Sequence, residues 1–552
     1  MASPAPSNPV RGQHTTGPEM TFGGSAGWGR TQVYSVLMRL WHSLSVTVLV
    51  LLQLSCAGPG PVAQRSTPVD PAVPAGDAGR PAPYDPLSIA ERPPATLLLP
   101  LISRPTEQGV TINVVAPNHV AGLVLEYRRQ PPDSGSGPRV QPGTPSSSGA
   151  AAAAGEWRRA GEPRGVAGDT VEWILGGLVA GGRYHYRVTA LAGHQVSGSF
   201  VTQRPAGSTF SFALLTDTHI YLRDFSRAEL AAHPLPAADV ERNGGIEQAL
   251  QERWPERAHG HAILPRVAEN VLADAPDFVI HLGDVIDLHG FGFNVPIPSP
   301  RWARKGWLDY RWLLGPLAQH AAHFAVIGNW DGEKGNFTAQ QRAASRQQRY
   351  AYLPNPTDAT YPDGGSRHQD YYAFQWGDAL FAVLNVITYT KTEHVLRKPS
   401  RPDDYSLGDE QLRWLERTLA QATARWRFVL IHHAVGGRGG DEKNSSYGRG
   451  GGRAAQVGEQ ARLHALMQKH GVQVMFYGHD HVFYDMVVDG IHYTLPGSAG
   501  APWKFTSAET GYETYWPDSG HARVQVGPKR VDVELVSVER RVLHRYSLPQ
   551  GD

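Results

Sequence analysis

The sequence predicts an α/β fold in which two mixed β-sheets pack together and are flanked by helices, preceded by a small all-β sandwich. Three observations predict it. From residue 209 onward, short apolar runs alternate with longer amphipathic stretches. Residues 371–386, 483–495 and 522–546 alternate apolar and polar side chains, as antiparallel strands do. Between 95 and 202 the chain is built from short β-type runs separated by turn residues.

Taken in chain order, residues 1–56 read as a leader. Arg30 and Arg39 precede an apolar run at 44–54 that ends in Leu-Ser-Cys56-Ala. A charged stretch, a hydrophobic stretch and small residues at a processing point make an export signal. The run is too short to span a bilayer, which takes about 20 residues. It resembles a bacterial lipoprotein signal, although Gln53 stands where that pattern carries an aliphatic residue. The resemblance implies a lipid anchor at Cys56 and a periplasmic or cell-surface place in a bacterial envelope. Met38 followed by Arg39 is a second natural start. Ordinary secretory cleavage near Ala57 is the alternative, and both readings export the protein.

Cys56 is the single cysteine, so intrachain disulfides, thiolate zinc sites and cysteine nucleophiles are excluded. With 52 Lys and Arg against 51 Asp and Glu, no global positive field gathers nucleic acid, and any charge-based function is local. The 60 Gly and 43 Pro cluster without a fixed period, which marks loops and linkers rather than repeats. Residues 57–94, rich in Pro, Ala and Gly, read as an extended tether. Oligomeric state is not legible.

The sandwich is expected at 95–205, with strands at 110–115, 123–127, 171–175, 184–191 and 198–201 and a flexible insertion at 131–155. The run from Leu175 through Tyr184 and Tyr186 resembles the tyrosine-bearing turn and strand of fibronectin type III domains, and a similar domain precedes the catalytic domain of purple acid phosphatases. Such a likeness licenses no activity by itself.

The catalytic body is expected at 206–550. Strands are placed at 210–215, 278–282, 324–327, 428–431 and 472–477, and helices at 261–273, 302–320, 409–422 and 456–470. Each of these strands ends in metal-binding side chains: Asp217-Thr-His219, Gly-Asp284-Val-Ile-Asp287, Gly-Asn329-Trp330-Asp331, His432-His433 and Gly-His479-Asp480-His481. Ligands gather at the carboxyl ends of strands in open α/β sheets, so five distant segments can converge on one crevice. Glycine before Asp284, Asn329 and His479 lets the backbone come close without a side-chain clash. Imidazole plus carboxylate suits borderline first-row metals, and Fe, Mn and Zn are all compatible.

These motifs, in this order over 210–495, resemble the calcineurin-like metallophosphoesterase superfamily. The resemblance implies hydrolysis of phosphate mono- or diesters by a two-metal site with a bridging hydroxide nucleophile. It implies one divalent or trivalent ion on Asp217, His219, Asp284 and His481, and a second on Asp284, Asn329, His432 and His479. Asp284 would bridge them. His432 is preferred to His433 as the first His after its strand.

Two residues depart from relatives. No metal-binding Tyr follows Gly283-Asp284, so a purple tyrosinate colour is not expected. Trp330 replaces the motif His that contacts phosphate, with Asn329, and can protonate the leaving group; an indole cannot shuttle a proton. Either His289 or His433 supplies that proton, or the leaving group needs little help.

Blander readings stand beside these. Asp287 and Asp331 either orient His ligands or are turn residues, and Asp331 is carried as a catalytic candidate with His289 and His433. Those two histidines alternatively just line a pocket. Residues 436–452 read as a phosphate-contacting loop or a mobile rim loop, and Trp503, Tyr512 and Trp516 as a substrate wall or ordinary packing. The rival function is a catalytically silent metal-binding lipoprotein, marked by Trp330. A metallo-β-lactamase-like hydrolase fails because Asp217-Thr-His219 and Asn329 have no place in its pattern.

Overall fold

The computed structural model describes residues 97–116, 122–131, 155–167, 169–191, 193–220, 246–288, 300–335, 337–357, 365–389, 406–432, 458–501 and 514–549. Every described residue lies in the unit Pro81–Asp552. The leader, the tether, Cys56, residues 132–154, His289, His433, residues 436–452, Trp503 and Tyr512 lie outside the described residues.

The front segment holds β1 (Leu99–Ser103), β2 (Val110–Val115), β3 (Val124–Arg129), β4 (Arg158–Arg159), β5 (Arg164–Ala167), β6 (Thr170–Leu175), β7 (Arg183–Thr189) and β8 (Gln195–Val201). Strands β4-β3-β7-β8 form a four-stranded sheet facing the β1-β2-β6-β5 run. Tyr184, Tyr186 and Val188 alternate inward on β7 and share a core with Trp173, Ile112 and Phe200. The Val179 N–H donates to Tyr184 Oη at 2.9 Å, pinning the turn that precedes β7.

The body holds β9 (Phe210–Leu215), α1 (Ile246–Ala273), β10 (Phe278–His281), α2 (Pro300–Leu314), α3 (Pro316–His320), β11 (Ala322–Ala325), α4 (Ala339–Tyr352), β12 (Tyr372–Trp376), β13 (Ala379–Val383), α5 (Gly408–Gln421), β14 (Trp426–Leu430), α6 (Gly458–Lys469), β15 (Val474–Phe476), β16 (Val482–Val488), β17 (Ile491–Gly497), β18 (Gly520–Val526), β19 (Arg530–Ser537) and β20 (Val542–Pro549). One sheet runs β20-β19-β18-β9-β10-β11-β1-β2-β6-β5 and the other β12-β13-β14-β15-β17-β16. Both are mixed: β9, β10 and β11 are mutually parallel, whereas β18 meets β9 antiparallel.

Two-residue periodicity explains the layering. Phe212, Phe278 and Phe324 from the first sheet meet Phe374, Phe381, Phe428 and Phe476 from the second. Phe324 stacks on Phe374 at 4.0 Å between centroids, and Phe212 meets Phe381 edge-on at 5.1 Å. The intervening side chains point outward. Ala213, Leu215 and Val279 pack on Val267 and Val271 of α1 and Trp307 and Leu308 of α2. Val429, Ile431 and Ala382 pack on Leu412, Leu415 and Leu419 of α5 and Leu463 and Met467 of α6. Helices therefore cover both outer faces, the arrangement the sequence predicts. Among the described residues no helix is long and apolar enough to cross a membrane.

Three features differ from the sequence reading. The division at 205/206 does not separate sheets, because β1 pairs in parallel with β11 through Ile102–Ala322 and Ser103–His323. The single helix expected at 302–320 is two: Gly315 has φ 50° and Pro316, which lacks an N–H, opens the second. Helix α4 was not expected, since 339–352 has too few apolar residues for periodicity to register. A capping box of Thr338 and Gln341 starts it.

Candidate metal centre

Strands β9, β10 and β11 run parallel, so the loops that leave them emerge at one end of the sheet. Asp217 and His219 follow β9, Asp284 follows β10, and Asn329 follows β11. From the second sheet, His432 follows β14 and His479 and His481 follow β15 at the same seam. All seven side chains come together.

Two groups form: Asp217, His219 and His481, and Asp284, His432 and His479. Asp284 Oδ2 lies between them, 3.2 Å from His219 Nε2 and 3.1 Å from His432 Nε2. Asp217 Oδ1 is 3.5 Å from His481 Nε2 and 3.8 Å from His219 Nε2. Asn329 Oδ1 lies 3.0 Å from His432 Nε2 and 2.9 Å from His479 Nδ1. Ligand atoms about 2.1 Å from one ion at a near-right angle are about 3 Å apart, so these spacings suit a shared cation. Among the described residues, Asp217 Oδ1 and Asp284 Oδ2 are buried and face only the imidazole nitrogens of this cluster, an arrangement that calls for a positive charge, from a cation or from protonated histidine.

The remaining atoms of these ligands are fixed. His432 Nδ1 donates to Leu282 O at 2.8 Å, which turns its Nε2 lone pair toward Asp284 and Asn329. Asp217 Oδ2 accepts from Thr216 Oγ1 at 2.6 Å and from the His479 N–H at 2.9 Å. Asp284 Oδ1 accepts the Trp330 N–H at 2.7 Å. Asp217, His219, Asp284 and His432 are buried, whereas His479 and Trp330 are half-buried, so the site opens on that side.

The backbone is strained at the same places. Asp217, His219, Asp284, His479 and His481 have φ of 52°, 42°, 53°, 83° and 55°, in the left-handed region that costs a non-glycine residue free energy. Close approach needs glycine nearby. A Cβ on Gly328 would lie 2.0 Å from Asp284 N, and one on Gly478 would lie 2.1 Å from Thr216 Oγ1.

Burial lowers the imidazoles of His219 and His432, but Asp284 and Asp217 outweigh it and raise each to about 9. Burial likewise raises Asp217 and Asp284, yet the surrounding histidines win and hold both below the ordinary carboxylate range. Asp331 goes the other way: burial and then the Asp284 charge push it up to about 7.

Asp331, the third catalytic candidate, has both carboxylate oxygens bound to backbone N–H groups. Its carboxylate accepts from the backbone N–H groups of Asp284 at 3.1 Å, Val285 at 2.9 Å, Ile286 at 3.2 Å and Gly328 at 2.7 Å. It ties the Asp284 loop to the Asn329 loop. Asp287 is buried, and its N–H donates to Ile220 O. The Trp330 indole stands edge-on to His219 at 5.6 Å. Trp516 stacks on His544 at 5.5 Å and bridges Phe483, so it belongs to packing between strands.

Sequence reasoning missed Thr216 and Ser498. Ser498 Oγ donates to Asp217 O at 3.0 Å, holding the strained turn. Thr216 adjoins a motif and was findable; nothing near Ser498 signals its role.

Residues 210–483 match the family model described as calcineurin-like phosphoesterase. A relative named "Probable inactive purple acid phosphatase 27" from Arabidopsis thaliana is 24% identical over 211 residues, which is 37% of this chain. The match spans 28% of that relative's length. Among solved structures, "Structure of PhoD" superposes with a TM-score of 0.56 at 14% identity, covering 83% of this chain and 90% of that one, which is a likeness of fold.

Proposed function

Residues 210–483 belong to the metallophosphoesterase superfamily, and from that premise we propose that the chain hydrolyses phosphate mono- or diesters at a two-metal centre. The observation that carries this reading is Asp284 Oδ2 lying within 3.2 Å of a histidine from each group. Asp217, His219, Asp284 and His481 would hold one ion, and Asp284, Asn329, His432 and His479 the other. Fe, Mn and Zn all suit these ligands. A bound pair supplies Lewis-acid polarisation of a phosphoryl oxygen and a water of lowered pKa.

The chain's own contribution is to hold that geometry in advance. Strained turns at Asp217, His219, Asp284, His479 and His481, locked by Thr216, Asp331 and Leu282, leave little reorganisation for the reaction to drive. Burial of Asp217 and Asp284 excludes water from the floor, and the half-buried edge at Trp330 and His479 admits the ester. His289 and His433 are the proposed sources of a leaving-group proton, because the Trp330 indole can donate a hydrogen bond but cannot shuttle a proton.

Export on the segment ending at Cys56, with lipidation there, is part of the same proposal and rests on the sequence pattern alone. Kinship of the front segment to fibronectin type III domains is a further part of it, supported by the Tyr184 turn.

Trp330 favours one rival, a metal-binding protein without turnover. Metal analysis of purified protein, combined with turnover of nitrophenyl mono- and diesters, separates them. Metal-dependent hydrolysis supports the proposal, and about two bound metals without turnover supports the rival.

A further inference from the structure

The four-stranded sheet β4-β3-β7-β8 carries a charge asymmetry. Its strands contain six arginines, Arg128, Arg129, Arg158, Arg159, Arg183 and Arg187, together with His185, against a single acid, Glu126. The whole chain is balanced at +1, so this is a local concentration.

Pairing places the charges. Inward Tyr184, Tyr186 and Val188 leave Arg183, His185 and Arg187 on the outer face, where Arg128 lies opposite His185 and Glu126 opposite both Arg187 and Arg159. Glu126 is committed to Arg187 at 2.7 Å. Arg128 and Arg187 lay their guanidinium carbons 4.7 and 4.3 Å from the Trp157 ring centroid, which orders both, while the Arg187 Nε–H is taken by Glu126. Burial, then the neighbouring Arg128 and Arg183, lowers the His185 pKa. At the β7–β8 turn, Leu191 is 82% exposed, the most exposed large apolar side chain among the described residues.

The face also lies away from the metal loops. The sheet's β8 edge packs on α3, with Ser199 Oγ 3.0 Å from His320 Nδ1 and Tyr186 Oη donating to Gln319 O at 3.2 Å. Helix α3 leads into the amino end of β11, whereas Asn329 leaves its carboxyl end. A partner on this face therefore approaches from the end of the sheet opposite the ester-binding edge.

We propose that the outer face of β4-β3-β7, with Leu191, docks the protein on an anionic lipid surface. Fixed arginines attract headgroup phosphates, and a lone apolar side chain at the turn enters the interface. Leu191 is the feature that favours a lipid surface over a soluble polyanion, which offers nothing apolar to receive it. The inference stands without the proposed hydrolysis and without lipidation of Cys56.

The test is sedimentation of the full chain with vesicles of phosphatidylcholine alone or mixed with phosphatidylglycerol. Binding is expected with phosphatidylglycerol, falling as salt rises. The double variant Arg128→Gln, Arg183→Gln should bind about thirty-fold more weakly. Leu191→Ser should bind several-fold more weakly, with the thermal transition of both variants unchanged. Equal binding by wild type and the double variant overturns the proposal. So does binding to soluble polyphosphate that matches vesicle binding and ignores Leu191→Ser, an outcome that assigns the face to a polymer.

Discussion

The carboxylate of Asp331 accepts the backbone N–H of Asp284 at 3.1 Å, and three further amides complete its shell. The residue that lies between the two ligand groups is thus placed by a carboxylate bound to its backbone. Asp331→Ala should destabilise the fold by about 3–5 kcal/mol, because four buried donors lose their acceptor. Asp331→Asn should cost less and lower metal affinity about 10- to 100-fold. Denaturant unfolding and metal titration check both, and a neutral Asp331→Ala would remove the clamp.

Gly328 has no room for a methyl group, since its Cβ would sit 2.0 Å from Asp284 N and 2.3 Å from Asp284 Oδ1. Gly328→Ala should abolish metal retention, read by elemental analysis after gel filtration. Gly161→Ala, which meets nothing within 4 Å, is the matched control.

The histidines make the metal-free protein sensitive to alkali. His219 and His432 are raised from 6.5 to about 9, so their stabilisation is complete below 6.5 and is lost as pH rises through 9. Asp217 and Asp284 are lowered, so theirs is lost only in acid. Chelated protein should show a falling melting temperature between these two pH values. Metal affinity should rise over the same window as imidazole protons are released. A flat profile for the chelated protein would contradict the pairing.

Trp330 serves Asp284 through its backbone N–H, a bond any residue at that position can keep. Trp330→His should therefore leave metal content intact and raise kcat on an alkyl phosphate, by at most about 10²- to 10⁴-fold. Unchanged rates would mean that leaving-group protonation does not limit the reaction.

Much of this was legible in the sequence because each ligand sits at the end of an apolar strand. Periodicity placed β9 at its observed bounds, 210–215, and the five motifs then indexed the site. What escaped was set by tertiary contact. Pairing of β1 with β11, which joins the front segment to the body, involves Leu99–Ser103, a run whose Pro100 hides strand character. Asp331 closes the motif Gly-Asn329-Trp330-Asp331 and reads equally as an orienting, turn or catalytic residue, and only the fold shows its oxygens turned to backbone. The left-handed φ of Asp217 and His219 has no signature in residues that are not glycine.

Anomalous diffraction from crystals grown with manganese or zinc decides whether Asp284 is shared. Two peaks about 3.5–4 Å apart, on either side of Asp284 Oδ2, are predicted. A single peak, or peaks remote from Asp284, would contradict the two-ion centre.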